Sequence, residues 1–81
     1  MTLGSQIRVA RNKRGITQSE LAHRAQLSIG TVYGLEADRI KKGPDLSTVL
    51  SLAAELGASF EFEARGKLVE VRVKGKARGE L

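Results

Sequence analysis

The sequence has no cysteine, one proline and one histidine among its 81 residues. Without cysteine it can form neither a disulfide framework nor a reactive thiolate. The lone histidine, His23, supports no metal cluster and no Ser-His-Asp arrangement, and the glycines match neither a phosphate loop nor a dinucleotide fingerprint. We therefore expect no enzyme, because every part of an active site is lacking, and no cofactor, metal or small-molecule substrate.

Long apolar runs are also lacking, and aromatic residues make up only 4% of the chain. No stretch approaches the length of a membrane span and no signal peptide is present, so we expect a cytoplasmic protein with no membrane partner. One small domain of this length has a limited core, and such domains often oligomerise. The net charge of +5 favours an anionic partner such as nucleic acid.

Two segments in the first half of the chain show helical signals. In residues 3–14, Leu3, Ile7 and Ala10 fall on one helical face. Residues 17–36, TQSELAHRAQLSIGTVYGLE, then contain two more short helices. Thr17 and Glu20 have the spacing of a capping box, with Glu20 expected to reach the Thr17 backbone N–H, and Ser28 is expected to cap the third helix. Only two residues separate the helices, and two short helices joined this tightly indicate a helix-turn-helix.

The same stretch resembles the helix-turn-helix domains of Cro and phage-repressor (Xre) type. That family opens its second helix with TQ-x-E-L-A, and residues 17–22 here read TQSELA. A branched apolar residue and a Leu-Glu pair follow near the end of the third helix, here Val32, Leu35 and Glu36. The resemblance covers residues 3–57. It implies a lambda-repressor-like domain of four to five helices.

The resemblance also implies roles for single residues. Arg11 is expected to form a structural ion pair with Glu36, and Gln18 occupies the family position that holds a DNA phosphate. One departure from the family is Gln26, which stands where the turn usually has glycine. If Gln26 has a positive φ, it strains the backbone by about 1 kcal/mol or more.

A fourth helix and a hairpin complete the predicted fold. Asp45 is expected to cap the helix over residues 46–56, which has apolar residues on more than one face and so needs burial on two sides. From residue 58 the apolar period changes to two, which predicts strands over 59–65 and 67–74. Pairing Ala64 with Lys67 places all the apolar residues on one face, namely Phe60, Phe62, Val69, Val71 and Val73.

The predicted fold class is therefore α+β and mainly α, with a C-terminal β-hairpin after the helices. We assign residues 1–57 to the DNA-binding domain, 58–74 to the hairpin and 75–81 to a disordered tail. A two-stranded hairpin is marginal alone. It must lie on the fourth helix or pair with a second chain, and we expect its five apolar residues to form a dimer interface.

Double-stranded DNA is the expected partner. A recognition helix presents its N-terminal residues to base edges, here Ser28, Ile29, Gly30 and Tyr33. Phosphate contacts, which position a protein without reading sequence, are assigned to Gln18, Thr31, Arg39, Lys41 and Lys42.

These features predict a transcriptional regulator, acting as a repressor, that binds a palindromic operator as a homodimer. A second resemblance, to HipB-type antitoxins, rests on chain length and on residues 56–62. It implies a role as the antitoxin of a toxin–antitoxin pair, with a cognate toxin as partner. The alternative class is a protein-interaction module whose hairpin docks a partner protein, with DNA binding secondary.

Overall fold

Four helices and one hairpin follow each other along the chain. A computed structural model describes residues 1–40 and 44–73. The predicted contacts of Lys41 and Lys42 and the predicted tail over 75–81 lie outside the described residues. The elements are α1 (Leu3–Lys13), α2 (Gln18–Ala25), α3 (Ile29–Glu36), α4 (Leu46–Leu56), β1 (Phe60–Ala64) and β2 (Lys67–Val71). The α+β, mainly helical fold class predicted from the sequence is confirmed.

The helix starts follow the predicted caps at two of three positions. The Thr17 hydroxyl accepts from the Glu20 backbone N–H at 3.0 Å, and Ser28 accepts from the Thr31 N–H at 3.1 Å. The Glu20 carboxylate engages the Thr17 hydroxyl at 3.5 Å, not the backbone N–H that the capping box predicts. The cap predicted for Asp45 is wrong, because its carboxylate accepts from the Ser47 hydroxyl and makes no bond to a helix N–H.

The turn between α2 and α3 has the left-handed residue that the sequence suggested. Gln26 has φ 58° and ψ 44°. The next residue, Leu27, donates its N–H to the Ala22 carbonyl at 2.8 Å and so closes the end of α2. A non-glycine residue in this conformation costs roughly 1–2 kcal/mol. The strained conformation of Gln26 lowers the stability of the fold by about this amount, but it allows α3 to pack closely against α2.

The core lies where the helices meet, and α4 covers it with one face only. The largest side chains without exposed surface come from all four helices, and they are Ile7, Leu21, Leu52, Val32 and Val49. The other face of α4 leaves Leu46 and Leu50 about half exposed, at 50% and 49%. The second apolar side predicted for this helix is therefore uncovered in the single chain.

The hairpin has the predicted register. Phe60 pairs with Val71 and Phe62 with Val69 in an antiparallel sheet, and Ala64 pairs with Lys67 next to the turn. The two turn residues, Arg65 and Gly66, have φ of 54° and 78°, as a type I′ turn requires. β1 is one residue shorter at each end than the alternation predicts, and β2 begins at Lys67 as predicted but ends at Val71, before Arg72 and Val73. The last residue of the predicted second strand, Lys74, lies outside the described residues.

The hairpin lies on its own chain, which changes the expected dimer interface. β1 packs on α1 and β2 on α4. Phe60, Phe62 and Val71 are buried in the core, whereas Val69 and Val73 are half-buried beside it. Because the first three side chains are already covered within one chain, they are not a free surface for a second copy.

The N-terminal turn of α1 approaches the end of α3 closely at a glycine. A Cβ atom on Gly4 would lie 2.5 Å from the carbonyl oxygens of Leu35 and Glu36. The Gly4 N–H, one of the donors left unpaired at a helix start, donates to the Asp38 carboxylate at 2.9 Å. Asp38 holds this position with φ 54°. Glycine is therefore required here for the contact between α1 and α3.

We expect Gly4→Ala to lower the free energy of unfolding by about 2 kcal/mol, because the added methyl group overlaps two backbone oxygens. Gly30→Ala is the matched control. A Cβ atom at Gly30 meets nothing nearer than the Ser28 hydroxyl oxygen at 4.0 Å, so this change should raise stability by up to about 1 kcal/mol. Urea unfolding of both variants tests this. Equal effects of the two changes would contradict the close approach.

Candidate functional site

The N-terminal half of α3 presents an exposed surface that includes two large side chains and one glycine. Ile29 and Tyr33 are 39% and 49% exposed. Gly30 leaves the helix backbone open between them. The Ser28 hydroxyl, which caps the helix, also shares a 2.8 Å hydrogen bond with the Thr31 hydroxyl. Four of the residues assigned to DNA from the sequence therefore share one exposed face, whereas Thr31 is half-buried beside it.

The C-terminal end of α3 carries the ion pair that the family resemblance implies. Glu36 is bound by Arg11 in a two-pronged contact, with Nε to Oε2 at 2.7 Å and Nη2 to Oε1 at 3.0 Å. The third arm of the guanidinium, Nη1, donates to the Ile16 carbonyl at 2.9 Å. The two side chains are only 12% and 4% exposed. The pair thus joins the end of α3 to the end of α1.

Gln18 joins the same carboxylate from α2. Its amide Nε2 donates to Glu36 Oε1 at 3.2 Å. Glu36 therefore receives donors from α1 and α2 while it sits on α3, and one buried carboxylate ties three helices together. The amide nitrogen of Gln18 has a second hydrogen that this contact does not use, so the phosphate role expected for Gln18 stays a prediction.

The hydrogen bonds in this cluster favour the charged form of Arg11. The bonds to the Glu36 carboxylate raise the pKa of the Arg11 guanidinium above its ordinary value, burial acts in the opposite direction, and charge attraction to Glu36 adds to the rise. Arg11 therefore stays protonated across the physiological pH range.

An open cavity of about 490 Å³ lies at the junction of α1, α2 and α3. Its lining includes Arg8, Arg11, Gln18, Tyr33, Glu36 and Arg39. Three of these were assigned to DNA contacts from the sequence. Arg8 was not, because on the sequence it is one of several basic residues on the exposed faces of α1. Arg8 is distinguished from the other basic residues only by the packing of α1 across the end of α3, which brings it to this cavity.

Two further residues of α1 make contacts that no pattern in the sequence predicts. Gly4 has no local signal, since its close contact is with residues more than thirty positions away. Gln6 binds the backbone of β1, with Nε2 donating to the Glu61 carbonyl at 2.6 Å and Oε1 accepting from the Glu61 N–H at 3.0 Å. Gln6 is half-buried, and a single glutamine in a helical segment gives no hint of that partner.

Other kinds of site find no support in the described part of the chain. No group of three or more His, Cys, Asp or Glu side chains there is arranged to hold a metal ion. Among the same residues, no helix combines the length and the apolar character that crossing a membrane requires.

Comparison with known proteins agrees with this geometry. The helix-turn-helix family matches residues 7–62. The chain is also 40% identical over 57 residues to the immunity repressor protein of Bacillus phage phi105, a match that covers 70% of this chain and 38% of that protein. The chain thus spans less than half of the length of this relative.

The family match covers the whole exposed face of α3 and the ion pair beneath it. The chain belongs to the helix-turn-helix family of DNA-binding regulators of the Cro/C1 (Xre) type.

Proposed function

We propose that this protein is a sequence-specific transcriptional repressor that binds a palindromic operator as a homodimer. The observation that carries the proposal is the exposed N-terminal half of α3, held at a fixed angle by the left-handed turn before it and by Glu36 behind it. The net charge of +5 suits the phosphate backbone. The name of the phage relative, an immunity repressor, supports repression.

Base contacts come from the start of α3. Ser28, Ile29 and Gly30 lie at the end of the helix that enters the major groove in this class of domain. Ile29 can make only an apolar contact, for which the thymine methyl group is the best partner. None of these residues makes a two-pronged base contact, so each half-site carries modest specificity and dimerisation supplies the rest.

Phosphate contacts surround that surface. Arg39 is exposed just beyond α3, and Lys41 and Lys42 follow it in the sequence. Gln18 lies on α2 beside the end of α3, and Thr31 is half-buried on α3 itself. These residues would orient the helix on the duplex without reading bases.

The antitoxin role would add a toxin partner to DNA binding. The protein-interaction module is the alternative to DNA binding, and it needs a second protein that binds the hairpin. Salt dependence separates DNA binding from apolar docking, because each phosphate contact contributes about 0.9 to the slope of log K against log salt. Binding to a partner protein through apolar contacts would change little with salt.

The first test is selection of duplexes from a random library by the full chain. Ile29→Ala should lose discrimination at one base pair of the selected site, by about 1–3 kcal/mol, because a base contact is removed. Lys42→Ala should weaken binding to selected and scrambled duplexes by the same factor and lower the salt slope. Affinity measurements on both duplexes give the comparison. The assignment would be wrong if Lys42→Ala altered the base preference while Ile29→Ala did not.

A homodimer needs a surface that the single chain leaves open, and the edge of β2 is such a surface. In a hairpin with a two-residue turn, Ala64 and Lys67 exchange both hydrogen bonds, so Leu68 and Glu70 direct their backbone groups away from β1. The opposite edge, on β1, is occupied at Glu61 by the amide of Gln6. The sheet can therefore accept a further strand more readily beside β2.

The side chains favour one register for pairing β2 with β2 of a second copy. With the twofold axis at Val71, Glu70 lies opposite Arg72 of the second copy, and the reverse pair repeats this by symmetry. Opposite charges across a strand pair stabilise it. On the other face, Val69 would meet Val73 of the second copy. Val69 and Val73 thus keep the role expected for them at the interface, while Phe60, Phe62 and Val71 support it from the core.

We expect Glu70→Arg to weaken the dimer, because arginines would then face each other across the axis. The double change Glu70→Arg with Arg72→Glu should restore it, since the charges are only exchanged. Within one chain these two residues form an exposed ion pair, with Arg72 Nη2 2.9 Å from Glu70 Oε2, and because such surface pairs contribute little, its loss should leave the fold unaffected. Sedimentation equilibrium measures the dimer constant. A dimer that survives Glu70→Arg unchanged would mean that another surface pairs, and a wild-type monomer at all concentrations would remove the homodimer itself.

A further inference from the structure

The cavity at the junction of α1, α2 and α3 has an unbalanced positive charge. Three arginines against one glutamate line it, leaving a net charge of +2. Arg11 and Glu36 neutralise each other in their two-pronged contact. Among the described residues, neither Arg8 nor Arg39 has an ion-pair partner. The charge that remains therefore belongs to two arginines, Arg8 on α1 and Arg39 just beyond α3.

Neutral hydrogen-bond groups complete the lining. Gln18 contributes an amide whose nitrogen is engaged by Glu36, which holds the side chain in one position. Tyr33 brings a phenol from the exposed face of α3. Two guanidinium groups and a phenol are donors that suit an anion with several oxygen atoms, since arginine binds phosphate through parallel N–H bonds.

We infer that this cavity binds one phosphate of the DNA backbone, with Arg8 as its unassigned ligand and Tyr33 as a phosphate contact rather than a base contact. The inference rests on the proposed DNA-binding function. Arg8 and Arg39 hold the phosphate from the α1 and α3 sides. Tyr33 donates its hydroxyl to the same group, one helical turn beyond the residues that approach the bases. Glu36 keeps Arg11 out of this contact by pairing with it.

The assignment gives the site a role distinct from base reading. A phosphate held between α1 and α3 would fix how deeply the start of α3 enters the groove. The site would bind DNA of every sequence equally well, because phosphates carry no sequence information. Specificity would then rest on the small residues at the start of α3, and affinity on the arginines behind it.

The test uses the full chain, a duplex selected from a random library, and a scrambled duplex of the same length. Arg8→Ala should reduce the slope of log K against log salt by about 0.9 for each bound subunit. It should weaken binding to both duplexes by the same factor, about tenfold per subunit at low salt. Lys13→Ala is the matched control. It removes the same charge from the same helix, but Lys13 lies outside this cavity, so its salt slope should stay near that of the wild type.

Two further variants distinguish a phosphate contact from a base contact. Arg8→Lys keeps the charge and should restore most of the slope. Tyr33→Phe removes only the hydroxyl group and should weaken both duplexes equally, leaving their affinity ratio unchanged. If Tyr33→Phe changes the ratio of the affinities for the two duplexes, Tyr33 contacts a base and is not a ligand of the phosphate.

Equal salt slopes for Arg8→Ala and Lys13→Ala, with binding otherwise intact, would overturn the phosphate site and leave the proposed function standing. Failure of the unchanged protein to bind any duplex with a salt-dependent affinity would instead overturn the proposed function, and the site with it. Arg8 is exposed, so thermal unfolding of Arg8→Ala should match the wild type. Unchanged thermal unfolding would show that a smaller slope of log K against log salt comes from a lost DNA contact and not from loss of the fold.

Discussion

The buried carboxylate of Glu36 is the constraint on which the arrangement of the helices depends. A buried charge costs several kcal/mol unless it is paired and hydrogen-bonded. Here the compensation comes from Arg11 on α1 and Gln18 on α2. Because these donors belong to two other helices, the carboxylate is satisfied only when all three helices meet in one geometry. The orientation of the exposed face of α3 is therefore set by electrostatics as well as by apolar packing.

Helix α1 connects this constraint to the rest of the molecule. At the start of α1, the Gly4 N–H donates to Asp38, just after the end of α3. Near the end of α1, Arg11 binds Glu36. Gln6, between them, holds the outer edge of β1. One helix thus positions both the surface proposed for DNA and the hairpin proposed for dimerisation. The same packing brings Arg8 and Arg39 to the cavity proposed to hold a phosphate.

Local signals in the sequence predicted much of this fold, because caps, turns and strand register depend on near neighbours. The cap at Ser28 and the pairing of Ala64 with Lys67 are examples. Contacts between distant residues were predicted only where the family resemblance supplied them, as for Arg11 with Glu36. Neither Gly4 nor Gln6 has a local pattern that reveals its partner. The use of the hairpin's apolar face was also beyond the sequence, since alternation fixes which residues share a face but not what covers it.

A double-mutant cycle on Arg11 and Glu36 tests most directly whether the carboxylate organises the domain. Urea unfolding would be measured for Arg11→Met, Glu36→Gln and the double variant. Each single change should cost about 3–5 kcal/mol, because it leaves a charge or a polar group buried without its partner. The double change should cost less than the sum of the two, by a coupling energy of about 1–3 kcal/mol. Additive losses would contradict the account and would mean that apolar packing alone sets the position of α3.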